Sequence, residues 1–134
     1  MVDRVKKPKP IRWVGSSKRD LQRLPREAVR NIGFALWYAQ MGDRHPAVKA
    51  LHGFGGASVL EVVEAHAGDT FRAVYTVWFA KAIYVLHVFQ KKSKTGTKTP
   101  AHEMALVQAR LKLAQADYQQ YLTELPDEDS HNDS

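Results

Sequence analysis

Hydrophobic residues along this chain change spacing twice, and each change marks a change of element. Leu21, Leu24, Ala28, Ile32, Ala35, Leu36 and Ala39 recur three and four apart, the period of one helical face. Pro25 lies inside that stripe and removes a ladder donor. The pattern therefore predicts a short helix capped by Ser16 or Ser17, then a second helix with Pro25 in its first turn. Upstream, Ile11-Arg-Trp-Val14 predicts a short strand ended by Gly15. From Ser58 the pattern becomes β-prone. Ser58–His66, Thr70–Phe79 and Ile83–Gln90 are three strands, linked by Ala67-Gly68-Asp69 and by a short turn near Ala80-Lys81-Ala82. Such short links fix antiparallel pairing, so the three form a meander. A helical stripe then returns at Met104, Val107, Leu111, Ala114, Tyr118 and Tyr121, with Thr99 as its expected cap, Pro100 in its first turn and Pro126 beyond its end.

The resulting order is β-α-α-β-β-β-α. It predicts an α+β fold: a twisted antiparallel sheet packed on one face by an N-terminal helical hairpin and a C-terminal helix. Asp43–Gly56, with Pro46 and three glycines, is expected to be a loop, and Gly53-Phe-Gly-Gly56 a turn. A basic arm over residues 1–10 and an acidic tail over 124–134 are expected to be disordered, flanking one domain over 11–123.

Charge sharpens this picture. The 134 residues carry a net +6, yet Glu124–Ser134 holds five acids and no Lys or Arg, and setting that −5 aside leaves +11 for the body. Between Lys81 and Lys98 there are five lysines and no acid, and Met1–Arg30 carries ten Lys or Arg against three acids. A basic surface clustered in this way suits a polyanion, most often nucleic acid. The chain has no cysteine, which excludes disulfides, thiolate metal sites and a Cys nucleophile. His45, His52 and His66 lack a metal-ligand spacing, so no metal or cofactor is expected. Neither a signal peptide nor a membrane-length apolar run is evident, so the expected location is cytoplasmic, with no membrane partner.

Strand alternation places Arg72 with Val74, Thr76 and Trp78 on one side, and Ile83, Val85, His87, Phe89 and Lys91 together on one side of the neighbouring strand. Arg72 opens its strand and Lys91 and Lys92 close the antiparallel neighbour, so all three are expected at one end of the sheet. Glu64 and His66, at the exit of the preceding strand, are expected there too. Cutting RNA by attack of its own 2′-hydroxyl needs a base, cations for the charge developing at phosphorus, and an acid for the leaving oxygen. Arg72, Lys91, Lys92, His66 and Glu64 form the candidate catalytic set, with His66 a suitable base near neutrality. Lys94, Lys98, Arg12 and Lys18 are candidate RNA-backbone contacts. His87 is expected to be a core or sheet-surface histidine, and Trp37, Tyr38 and Trp78 to be packing residues. The basic hairpin Lys18–Arg30 is a candidate surface for an acidic partner segment.

The order of several short motifs resembles the RelE/ParE toxin superfamily, and within it the phage-derived HigB-like toxins. They are Lys49-Ala-Leu-His-Gly-Phe54, Val59-Leu-Glu-Val62, Arg72-Ala-Val-Tyr75, Ile83-Tyr-Val-Leu-His-Val-Phe-Gln-Lys-Lys92, and Thr99-Pro100 before an Ala-rich helix. The likeness extends over about Ile11–Tyr118. It implies a RelE-like fold and a type II toxin: a ribosome-dependent mRNA endoribonuclease, held inactive by a cognate helix-turn-helix antitoxin and touching operator DNA only through that complex. Arg72 matches the family's strand arginine at the scissile phosphate, and Lys91 and Lys92 match its basic pair. The family's C-terminal catalytic Tyr or His-Tyr has no counterpart here; Lys94, Lys98 and His102 occupy that region. A ParE-like gyrase inhibitor and a non-catalytic nucleic-acid-binding module are the alternatives on the same fold.

Overall fold

The computed structural model describes residues 7–91 and 99–126. Eight elements follow in order: β1 (Ile11–Trp13), α1 (Ser17–Gln22), α2 (Arg26–Gln40), β2 (Val48–Ala50), β3 (Val59–His66), β4 (Asp69–Thr76), β5 (Ile83–Lys91) and α3 (Ala101–Glu124). The α+β class and the β3–β4–β5 meander are as expected.

Three features differ. The sheet is mixed, in the order β1-β5-β4-β3-β2, because β1 joins β5 in parallel while every other pair is antiparallel. The loop over Asp43–Gly56 contains β2, which adds an edge strand next to β3 through Val48↔Val62 and Ala50↔Leu60. The helices also cover both faces of the sheet rather than one. On one face α1 and α2 set Leu21, Ile32, Ala35, Leu36 and Ala39 against Leu60, Val62, Tyr75, Val85 and Val88. On the other, α3 sets Val107, Leu111, Ala114 and Tyr118 against Val59, Val74, Tyr84 and Leu86. Every strand of the meander is thus buried on both sides. That explains why the three read as nearly continuous apolar runs rather than as clean alternation.

Proline sets both long helices. Pro25 and Pro100 each occupy the N-cap position, one residue before the expected place, with extended ψ of 146° and 151°. Thr99 does not cap α3; its hydroxyl donates elsewhere, as the site shows. At the amino end, Lys9 and Pro10 were expected in a disordered arm but are tied in. The Lys9 N–H donates to the Gln40 carbonyl at 2.9 Å, and Ile83 N–H donates to the Pro10 carbonyl at 2.9 Å.

Two backbone irregularities decide which side chains meet. The β3–β4 turn is made by Ala67 and Gly68, both at positive φ (51° and 87°), the pair a tight hairpin needs to match strand twist. It locks His66 opposite Asp69 and Glu61 opposite Val74. Between β4 and β5 the register steps from Val74↔His87 to Tyr75↔Val85, so Leu86 is an extra, bulged residue. Strict alternation fails there. Val85 and Val88 face α2, whereas Leu86, and His87 through its bond to α3, both face α3. Among the described residues no helix is long and apolar enough to cross a membrane.

Candidate active site

The site lies on the α3 face, at the end of the sheet where β4 begins and β5 ends. Cross-strand pairing arranges it in rows. Lys49, Glu61, Val74 and His87 form one row across four strands; Val63, Arg72 and Phe89 form the next; Ala65, Thr70 and Lys91 the one beyond. Glu61 is 4% exposed and Arg72 5%, and their side chains meet with Arg72 Nη1 3.0 Å from Glu61 Oε1. Thr99, just before α3, donates its hydroxyl to the other carboxylate oxygen at 2.8 Å. Both Glu61 oxygens are therefore engaged, which fixes the plane of the carboxylate. The Arg72 Nε–H is buried and finds no acceptor among the described residues.

Lys91, 7% exposed, completes the charged cluster. Burial lowers its pKa below that of an ordinary lysine, the neighbouring Arg72 charge lowers it further, and Glu61 opposes the change. Arg72 and Lys91 thus flank one buried carboxylate, and the exposed Lys49 is its cross-strand neighbour on β2. Beside the carboxylate opens a groove of about 450 Å³, lined by Lys49, His52, Glu61, Thr99 and Met104. That volume falls within the range of small-molecule sites.

The first turns of α3 are pinned next to the groove. His87 Nε2 lies 2.6 Å from Glu103 Oε1, and its Nδ1 lies 3.4 Å from Arg110 Nη1. Arginine can only donate, so Nδ1 accepts and the ring proton sits on Nε2, pointing at Glu103. Phe89 stacks on the same ring at 4.7 Å. Arg110 also donates to the Leu86 carbonyl at 3.0 Å and to Ser16 Oγ at 3.2 Å, joining the bulge, α3 and the start of α1.

The sequence-predicted residues divide. Arg72 and Lys91 come together, although Arg72 is an ion-paired, buried group rather than an open phosphate clamp. Glu64 and His66 reach the same end of the sheet but the opposite face. Asn31 of α2 donates to Glu64 at 2.6 Å, and Glu27 of α2 lies 3.2 Å from His66 Nδ1. The cause is parity. Glu61 and Glu64 are three residues apart on one strand, so their side chains point to opposite sides. Arg12 belongs to neither group. It pairs with Asp117 at 2.8 Å and lies 4.4 Å over the Tyr121 ring. Its strand partner Tyr84 is roughly 20 Å along β5 from Lys91. Lys18 is exposed on α1. Lys92, Lys94 and Lys98 lie outside the described residues.

Glu61, Thr99, Lys49 and His52 were not among the expected site residues. Glu61 did have a signal: it is the one charged residue in Val59-Leu-Glu-Val-Val63, and the tight turn at Ala67-Gly68 puts it on the Arg72 side.

Residues 19–112 match the family model described as phage-derived protein Gp49-like. The chain belongs to the phage-derived Gp49-like family. It is a family of RelE/HigB-type toxins. The Gp49-like span contains every groove residue and Arg72, Lys91, His87 and Arg110, while Arg12, Lys18 and Asp117 fall outside it. Among solved structures, the chain is similar to a chain of the toxin–antitoxin complex RelBE2 from Mycobacterium tuberculosis. The identity is 20% and the TM-score 0.36, over 68% of this chain and 100% of that one. Comparison with curated protein sequences finds no match.

Proposed function

We propose that this chain is the toxin of a type II toxin–antitoxin pair and cleaves mRNA on the ribosome. The observation that carries the proposal is the Glu61 carboxylate, fixed by Arg72 and Thr99 at the wall of a groove it shares with Lys49 and His52. These are the groups that 2′-hydroxyl attack requires. Glu61 takes the 2′-hydroxyl proton; the 2′-oxygen bonds to phosphorus as the bond to the 5′-oxygen breaks. His52, in its protonated form, returns a proton to that leaving oxygen. The products are a 2′,3′-cyclic phosphate and a 5′-hydroxyl. Lys49 and Lys91 offset the charge growing on the phosphoryl oxygens, and Lys92, Lys94 and Lys98, next in the sequence, are further RNA-backbone contacts in this reading. Arg72 acts as a positioning residue: it holds the base and adds positive potential from behind it. Glu64 and His66, on the α2 face, take no part. A helix-turn-helix antitoxin is the cognate partner in this reading, with operator DNA bound through the complex.

The burial of Arg72 against Glu61 favours one other reading, a non-catalytic module whose cations only hold phosphates. Induction of the chain in a bacterial host, with mapping of mRNA 5′ ends, separates the two. A nuclease arrests growth and cuts within codons, and Glu61→Gln and His52→Ala each slow cutting about 100-fold or more. Cleavage that persists in a folded Glu61→Gln protein would remove Glu61 as the base. Harmless expression with salt-sensitive RNA binding would leave the passive module.

A further inference from the structure

The face of α2 turned away from the sheet carries three of the six large hydrophobic side chains exposed among the described residues. Phe34 is 58% exposed and Trp37 47%, and Tyr38 beside them is also exposed. Residues 34, 37 and 38 follow the i, i+3, i+4 spacing, so the three rings share one stripe. Trp37 and Tyr38, expected to be packing residues, are thus only partly covered, Tyr38 by an edge-on contact with His45 at 5.0 Å. Over the two preceding turns the same face carries the exposed cations Arg26 and Arg30, together with Glu27, which lies 3.2 Å from His66 Nδ1. Between the cations and the rings lies Gly33. A Cβ built there meets nothing within 4 Å, so no internal packing asks for a glycine at this position. Glycine disfavours a helix interior, and a small residue in the middle of an outward face lets another backbone come close.

We infer that this face of α2 is the docking surface for an amphipathic helix bearing acidic residues, crossing α2 at Gly33. Its apolar side covers Phe34, Trp37 and Tyr38, and its carboxylates meet Arg26 and Arg30. Segregation of cations from rings favours a protein helix over RNA, whose stacking sites interleave rings with phosphate-binding cations. Under the toxin reading the partner is a segment of the antitoxin. The surface chemistry itself does not depend on nuclease activity.

The test uses the full chain and a labelled helical peptide of about 20 residues, with a leucine stripe flanked by glutamates, against its lysine counterpart. Fluorescence anisotropy is expected to show binding of the acidic peptide only, weakening as salt rises. Trp37→Ala and Gly33→Leu are each expected to weaken it about tenfold or more, and Arg26→Glu with Arg30→Glu to abolish its salt dependence. Gly33→Leu introduces a better helix former, so its thermal midpoint stays level or rises and lost binding is not unfolding. Equal binding of both peptides, no binding, or indifference to Gly33→Leu overturns the inference. So does an RNA of about 20 nucleotides whose binding, rather than the peptide's, is lost with Trp37→Ala. mRNA cleavage is unchanged in the α2 variants, so failure of cleavage with intact peptide binding removes only the nuclease reading.

Discussion

Arg72 and Glu61 are not direct cross-strand partners: Glu61 faces Val74, and the guanidinium reaches diagonally over the β3–β4 gap to meet it at 3.0 Å. A diagonal pair buried on both sides has little room to relax when one member is lost. Arg72→Ala leaves the buried Glu61 carboxylate without its guanidinium partner, and is expected to cost about 3–5 kcal/mol in urea unfolding. Arg72→Met with Glu61→Leu removes both charges and is expected to recover most of that loss. Both variants are expected to lack RNA cleavage, so the double variant separates lost chemistry from lost stability.

Lys91 provides a titration readout of the same cluster. Its pKa lies below 10.5 through burial and the Arg72 charge, with Glu61 acting the other way. Arg72→Met is therefore expected to raise the Lys91 pKa and Glu61→Gln to lower it further, read by carbon-detected NMR of the lysine side chain. Between the folded value and 10.5 the unfolded chain holds the extra proton. Stability attributable to Lys91 therefore rises with pH across that window. Lys91→Met removes this alkaline slope.

Tyr75 is fully buried, and its hydroxyl has no hydrogen-bond partner among the described residues. Burial pushes its phenol up to about 12, with Arg44 opposing. An unsatisfied buried hydroxyl is a cost, so Tyr75→Phe is expected to stabilise the fold by about 1 kcal/mol, seen as a higher thermal midpoint. The fold favours the neutral phenol, so stability falls as pH rises above 10.0. Tyr75→Phe weakens that fall.

The clasp at the far end of the sheet works in acid. Bonds from Arg12 and Tyr84 hold Asp117 below the usual carboxylate value of 3.8. Its contribution is complete above 3.8 and is lost as pH falls through the lower folded value. The pair is partly exposed, so Asp117→Asn is expected to cost under about 1 kcal/mol at neutral pH. It also flattens the acid limb of the stability profile.

Gly15 sits at φ 58°, and a Cβ there would lie 2.9 Å from the Arg110 guanidinium carbon. Gly15→Ala is expected to cost about 1–2 kcal/mol from backbone strain alone. It also loosens Arg110 from Leu86 and Ser16, visible as faster amide exchange at the bulge.

Much of the architecture was legible because local signals agreed. The helical stripe from Leu21 to Ala39 and the Ala67-Gly68 turn each define an element without tertiary help. What sequence alone did not reveal depends on contacts between distant segments. Nothing in Ile11-Arg-Trp indicates that it will pair in parallel with β5, and nothing in Val48-Lys-Ala marks an edge strand among prolines and glycines. The Leu86 bulge is silent as well, and it reverses the face of every residue from His87 to Lys91 relative to Tyr75 and its neighbours. Glu64 and His66 are a different case. Parity from the tight turn separates them from Arg72, and reaching the same end of the sheet does not put residues of opposite parity in one site.

The sheet divides the molecule into two sides that do not overlap: the groove opens beside α3, and the aromatic stripe lies behind α2. A helix seated on Phe34 and Trp37 would leave Glu61 uncovered. Neutralisation from that side would have to work by added bulk, keeping the molecule out of a confined target such as a ribosomal cleft. Small molecules would still reach the groove beside Glu61 in such a complex.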